Sequence, residues 1–354
     1  MEFGLSEEQT LLQDSVNRFL DEASSLDKVR EFVKAPETDV WGGLVELGVP
    51  GILIADSNGG LSMSPLDAAI VAEALGSHTA PAPFIGSAVM APVALQAAGV
   101  NPGDILAKLV TGEKRIGIAV GEAVAARQDA GVRSAAGRLS GKALYVLDHG
   151  GDAYLVADQA KALFLVDASA EGITSQPLPT IDQTRRTGEL VFKDTPAEQI
   201  SDDPAVLQKT LDVGRVMLAA DTLGAAQNMI DQAVAYAKER EQFNRPIGSF
   251  QAVKHMCAEM VAALEPCRSL VWFAAHALDE LPDEATLTAC HTKAHLAEVG
   301  KFVAKTATEV HGGMGFTDLL GLHYWFKRVG FNRQLLGSPE LIRDEAARVQ
   351  GLVA

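Results

Sequence analysis

The chain has 354 residues, 47% hydrophobic and 21% charged, with a formal net charge of −16 and a pI near 4.9. That length holds one large domain or two to three ordinary ones, with ample apolar material for cores. The acidic balance argues against nucleic acid and anionic membranes as partners, because both would be repelled; a small anion held by a few local arginines stays open.

The three cysteines, Cys257, Cys267 and Cys290, are widely spaced with no CxxC pattern. Such a set reads as reduced thiols, packed as small hydrophobes in a cytoplasmic protein. The opening MEFGLSEEQTLL has neither a basic segment nor an apolar run, so no signal peptide is expected. No apolar run approaches the roughly 20 residues of a membrane span.

Residues 1–112 read as a helical domain. Leu5, Leu12, Val16 and Leu20 recur at helical spacing, and Ser6 with Gln9 forms a capping box. In SPLDAAIVAEALG, Ser64 caps, Pro65 opens the helix and Gly76 is expected to end it. A third helix, near SAVMAPVALQAAG, carries Pro92 early. From about Lys114 the character changes to short apolar runs (RIGIAV, GKALYVL, AYLVAD, ALFLVDA, GELVFKD) separated by Gly, Asp and Ser, which marks a β domain over residues 113–205. Residues 206–354 return to helix in long pieces: a stretch without proline from AVLQ to REQF, then FQAVKHM to LDEL, then ATLTA to EVHGG. Long helices joined by short loops predict an antiparallel four-helix bundle, and the whole is of the α+β class.

Two stretches carry candidate chemistry. In REQFNRPIGSFQ, Arg240 has a guanidinium fork suited to phosphate oxygens, Phe243 a flat apolar face, and Gln251 an amide able to pair with a heterocycle edge. A phosphate grip beside a stacking face is the minimum equipment for a nucleotide. The plainer reading is a helix C-terminus where Arg240 meets the dipole and Phe243 plugs a core. In EVHGGMGF, Gly312 and Gly313 let backbone approach a ligand and expose N–H groups to anions; the plainer reading is a glycine helix stop. His291 and His295 stand four apart on a helix, but no HExxH pattern completes them and no metal site is expected. Arg185 and Arg186 in DQTRRTGELVF read as a solvated pair in preference to a contact at a subunit or ligand surface, and Trp41, Trp272 and Trp325 as core residues.

The markers LSEEQ, W-x-x-L-x-E-L-G-V-P-G (Trp41–Gly51), REQFNRPIGSFQ and EVHGGMGF together make the chain resemble the acyl-CoA dehydrogenase family over nearly its whole length. The resemblance implies a helical N-terminal domain, a middle β domain and a C-terminal four-helix bundle, with FAD as cofactor and an acyl-CoA as substrate. It also implies that Arg240, Gln242, Phe243, Ile247, Phe250 and Gln251, with Glu309, Gly312 and Gly313, hold the ADP half of a flavin seated mainly in a neighbouring subunit. Glu309 stands where the family often has glutamine.

The same resemblance exposes what is missing. The family's chemistry takes the α-proton of an acyl thioester on a carboxylate while the β-hydrogen leaves as hydride to the flavin. The usual slot for that base falls here on Leu336, before Gly337, and a second known slot falls on Gly214, before Arg215. Neither residue takes a proton. Glu340 and Asp212 lie two to four residues from the slots and are displaced candidates. The loop that usually contacts the flavin ring and thioester reads AVGEAVAARQDAG (Ala119–Gly131), keeping Glu122 but losing the proline, serine and glycine pattern; the later strand offers Leu144 and Val146 in place of an aromatic and a threonine.

The resemblance is therefore closest to the base-less subunit of bacterial heteromeric, steroid side-chain type acyl-CoA dehydrogenases, in which a second subunit carries the base and an α2β2 assembly holds two flavins rather than four. Two alternatives stand beside it: a self-sufficient homo-oligomer using a displaced carboxylate, and a non-catalytic scaffold that keeps the fold.

Overall fold

The computed structural model describes residues 4–36, 39–125 and 127–353. The N-terminal part is helical: α1 (Glu7–Ala23), α2 (Leu26–Lys34), α3 (Trp41–Glu46), α4 (Pro65–Ser77), α5 (Ala91–Ala97) and α6 (Ile105–Val110). The Ser6 hydroxyl accepts from the Gln9 N–H at 3.1 Å while the Gln9 side chain accepts from the Ser6 N–H at 3.0 Å, so two of the orphan donors that open α1 are satisfied. Ser64 and Asp67 repeat the device on α4. Gly76 does not end that helix. It lies inside it, where a Cβ would fall 1.9 Å from the Asp221 carbonyl oxygen, so its glycine serves a close helix crossing. Pro92 sits in the first turn of α5, which continues a π-helical stretch over Phe84–Met90.

The middle of the chain forms one mixed sheet of eight strands: β1 (Ile116–Ala119), β2 (Gly131–Ala135), β3 (Arg138–Leu147), β4 (Ala153–Ala157), β5 (Leu163–Asp167), β6 (Ile173–Pro177), β7 (Thr187–Pro196) and β8 (Glu198–Ser201), with the short helix α7 (Gly121–Val124) after β1. The order is β6-β7-β3-β1-β4-β5-β8 with β2 on β3, and β1–β4 is the parallel pair. Period-two alternation divides the strands between two cores. Ile116, Ile118, Ala153 and Leu155 join the large core shared with the helices, whereas Ala119, Tyr154 and Val156 join a separate core with Val132, Leu139, Phe164 and Phe192. One sheet face thereby packs on the helical parts.

The C-terminal part holds α8 (Pro204–Glu239), α9 (Gln251–Glu280) and α10 (Pro282–His311), then the shorter α11 (Leu322–Asn332) and α12 (Pro339–Val349). A hairpin, β9 (Glu241–Gln242) and β10 (Arg245–Pro246), joins α8 to α9. Pro266 lies within α9 on its exposed side, and the helix runs through it. Trp41 and Trp325 are buried and Trp272 half-buried; Cys267 and Cys290 are buried free thiols and Cys257 is half-buried. His291 and His295 lie exposed on α10, and no group of three potential metal ligands occurs among the described residues. No described helix is long and apolar enough to cross a membrane.

Candidate functional site

Two sequence-distant stretches meet at one end of the bundle. The rings of Tyr236, near the end of α8, and His311, the last residue of α10, lie 4.8 Å apart. His311 Nδ1 is 2.7 Å from the Ala307 carbonyl, which fixes the ring. That contact brings the end of α8, which leads into Arg240, to the same end of the bundle as the end of α10, which leads into Gly312. Arg240 is exposed at the C-cap of α8, and its guanidinium has no partner among the described residues. The Ile247 N–H donates to the Arg240 carbonyl at 2.7 Å and closes the hairpin base. At the tip, Phe243 (φ 53°) and Asn244 (φ 61°) are both left-handed, as a two-residue type I′ turn requires. A phenylalanine there costs about 1–2 kcal/mol. It recovers nothing by burial, since Phe243 is 87% exposed.

The remaining candidates lie on the hairpin, the start of α9 and the end of α10. Gln242 is exposed, its amide donating to the Glu241 carbonyl at 2.8 Å. Half-buried Phe250 is the N-cap of α9, Gln251 its exposed first residue, and Ile247 is half-buried between them and the hairpin. Glu309 is exposed on α10. Gly312 adopts φ 58°, ψ −137°, a conformation open essentially to glycine alone. A Cβ on Gly312 or Gly313 would meet nothing within 4 Å, and Phe316 beyond them is 80% exposed. An unpartnered guanidinium, an exposed ring, an exposed amide and an open glycine loop have the chemistry to hold a phosphate joined to a flat heterocycle.

The two base slots also converge. A Cβ built on Gly214 would fall 2.7 Å from Leu336 Cδ1 and 2.7 Å from Met90 Sδ. Carboxylates from either position would thus enter the same space, which the Leu336 side chain now fills. Leu336 is buried and left-handed (φ 54°), and its carbonyl accepts from Arg215 Nε at 3.2 Å. Buried Arg215 forms a bidentate pair with Glu345 at 2.7 and 2.8 Å. Asp212 is buried too, accepting from Thr286 Oγ1 at 2.6 Å and Gln208 Nε2 at 2.9 Å, with Arg215 3.5 Å away. Burial raises its pKa, and those donors work against the rise. Its oxygens are committed to this network. Glu340 is largely exposed and paired with Arg333 at 3.0 Å, its pKa held down to about 2 by hydrogen bonds from Ser338 and its own backbone. A group so acidic, on the outside, is poorly suited to removing a substrate proton near neutrality.

The sheet closes the same region. A Cβ built on Gly337 would lie 3.5 Å from Val124 Cγ1 of α7. Glu122 is buried, paired with Arg127 at 2.9 Å, and Arg127 stacks 5.0 Å over the Tyr145 ring. Val146 is fully buried and Leu144 half-buried, with a register shift of β3 against β7 between Ala143 and Val146. Ala126, within the Ala119–Gly131 stretch, lies outside the described residues.

The solvated pair expected at Arg185 and Arg186 is corrected. Arg185 is buried, 2.8 Å from Asp221 and bonded to Asn332 Oδ1 at 3.2 Å. Arg186 lies 3.3 Å from Asp39, bonds the Pro36 carbonyl, and stacks 5.7 Å over Phe32. Buried Arg328 joins Arg185, contacting Asp182 at 2.9 Å and Asp221 at 3.0 Å. The partners come from the segment between β6 and β7, from α8 and from α11, a network that no local sequence signal marks.

Helices, a mixed sheet and a long-helix bundle in this order give the architecture of an acyl-CoA dehydrogenase-type fold. Residues 6–113 match the model of the acyl-CoA dehydrogenase N-terminal domain and residues 205–351 that of the acyl-CoA dehydrogenase C-terminal domain. The chain belongs to the acyl-CoA dehydrogenase family. It is 30% identical to acyl-CoA dehydrogenase IpdE2 of Mycobacterium tuberculosis, over 95% of this chain and 96% of that protein. It is 28% identical to IpdE2 of Mycolicibacterium smegmatis, over 99% and 100%. Among solved structures, a chain of the Tcur3481–Tcur3483 steroid acyl-CoA dehydrogenase G363A variant superposes with a TM-score of 0.89 at 28% identity, over 98% of each chain. A chain of the ChsE4–ChsE5 complex from M. tuberculosis superposes at 0.90 with 25% identity, over 100% of each.

Proposed function

We propose that this chain is one subunit of an FAD-dependent acyl-CoA dehydrogenase built from two different chains, and that it grips the ADP half of a flavin whose reactive end lies in its partner. The single observation that carries the reading is the convergence of both base positions on a space filled by Leu336. Bound FAD would accept the β-hydrogen of an acyl-CoA as hydride while a carboxylate takes the α-proton. This chain offers no carboxylate at the convergence point, so the proton must leave to a residue of the partner. What it does offer is the exposed donor set at the bundle end. Arg240 would hold pyrophosphate oxygens, Phe243 and Gln251 the adenine side, and the Gly312–Gly313 backbone the anion. Gln242, Ile247, Phe250 and Glu309 would frame that grip.

Support for a two-chain assembly comes from the pairs ChsE4–ChsE5 and Tcur3481–Tcur3483, the second of which is a steroid enzyme by name. An α2β2 assembly with two flavins and a steroid-derived or fatty acyl-CoA substrate follows. The test is to purify the chain alone and together with the subunit that co-purifies from its native host, then record visible spectra. The chain alone should carry no flavin that bleaches with acyl-CoA, and the complex should carry one flavin per pair of unlike chains. Four flavins per tetramer, or full activity from this chain alone, would overturn the proposal.

A further inference from the structure

Arg245 follows the turn that presents Phe243, and its guanidinium lies 4.0 Å from the centroid of the Phe250 ring. Phe250 in turn meets Phe243 edge-on, with centroids 6.1 Å apart and planes at 77°. Arg245 makes no ion pair or hydrogen bond among the described residues, although Glu239 and Glu241 are close in sequence and the chain has 46 acidic residues against 30 basic ones. Its charge is spent on an aromatic face instead of on a carboxylate. Phe250 is anchored as the N-cap of α9, and the Phe250 N–H bonds the Ile247 carbonyl at 3.0 Å. Arg245 over the face of Phe250, and Phe250 edge-to-face with Phe243, therefore form a chain of contacts from the start of α9 to a turn tip whose two residues are both left-handed.

From this chain of contacts we infer that Arg245 is a positioning residue for the ADP-half grip, and the inference rests on the function proposed above. By clamping Phe250 it gives Phe243 an edge to lean on, and so holds an exposed ring in a turn that the backbone alone disfavours. Pre-organising the ring beside Arg240 removes an ordering cost from nucleotide binding. A lysine at this position keeps a cation over the ring; an alanine does not.

The experiment uses the full chain and its Arg245→Ala, Arg245→Lys and Arg240→Ala variants. Two quantities are read: amide hydrogen exchange across residues 241–247, and affinity for ADP by ligand-observed NMR. Arg245→Ala should speed exchange and weaken ADP binding, each by about two- to fivefold, as expected for one exposed cation–π contact. Arg245→Lys should restore both. Arg240→Ala should weaken ADP binding while leaving exchange unchanged. Unchanged exchange in Arg245→Ala overturns the inference, as does faster exchange with unaltered ADP affinity. An Arg240→Ala variant that binds ADP like the wild type instead overturns the grip itself, so the two failures are distinguishable.

Discussion

A Cβ on Gly214 would press on Leu336 Cδ1 and Met90 Sδ, both far ends of flexible side chains that can shift at a cost. Gly214→Ala should therefore destabilise by about 1–3 kcal/mol through overpacking. Leu336→Ala should cost about 2–4 kcal/mol through the cavity it leaves. The two losses should not add, because the alanine methyl at 214 enters the space vacated at 336. Urea denaturation of both single variants and the double variant measures this, and strictly additive costs would show that the two positions do not share a volume. Lys293 gives a second test. Its Nζ donates to the Asn332 carbonyl at 2.8 Å, and burial, with Arg215 and Arg333 nearby, pushes its pKa from 10.5 down to about 7. Between those values the unfolded chain binds a proton that the folded chain does not. This group's contribution to stability therefore rises with pH from about 7 to 10.5, by at most about 1.4 kcal/mol per pH unit, and its cost is complete below 7. The stability difference between wild type and Lys293→Met should shift in favour of wild type between pH 7 and 9.5.

At the scale of elements, α4 and α8 cross backbone to backbone. A Cβ on Gly76 would lie 1.9 Å from the Asp221 carbonyl oxygen, and one on Gly224 equally close to that of Glu73. Carbonyls of a helix cannot step aside as a side-chain tip can, so Gly76→Ala or Gly224→Ala should each cost about 3 kcal/mol or more. Thermal denaturation checks this, with exposed Gly42→Ala, which meets nothing within 4 Å, as the near-neutral control. The sequence made the helices legible wherever caps and period sit within one turn, as at Ser6 and Ser64, and made the sheet legible through short alternating runs. It misassigned Gly76 as a stop because a glycine demanded by a helix 145 positions away resembles one demanded by a C-cap. Arg240, Gln242 and Phe243 fall together on one exposed hairpin because they are nearly consecutive in sequence. Arg185 was hidden because its network partner Arg328 meets Asp221 107 positions away and Thr184 144 positions away. That Leu336 is apolar is plain from the sequence, but its burial and its close approach to Gly214 required the fold.

Across the whole molecule, one buried network fixes the sheet to the helices. Arg328 contacts Asp182 and Thr184 of the segment before β7, Asp221 of α8 and, through Nη2, the Ala80 carbonyl after α4 at 3.2 Å. Asn332 adds a 2.6 Å bond to Asp221. Burial opposes ionisation of Asp221, but Arg185 and Arg328 outweigh it and its pKa lies below the ordinary value. The group thus contributes stability above the usual carboxylate range that is lost as pH falls. Arg328→Met removes a charge from the centre and leaves Asp182 and Asp221 sharing Arg185, so it should cost about 3–5 kcal/mol. Arg328→Lys should recover only part of this, because a point charge cannot serve two carboxylates, a hydroxyl and a carbonyl that the planar fork reaches together. The loss should also have a shape. With the clamp intact, sheet and helices share one large core and should melt in one transition; without it, calorimetry of Arg328→Met should resolve a sheet transition from that of the helices. A single transition merely lowered in temperature would mean that the shared apolar core, rather than the ion network, couples the parts. In that case the sheet would still be held over Leu336 and Gly214 by packing alone, and the closed slot would not depend on charge.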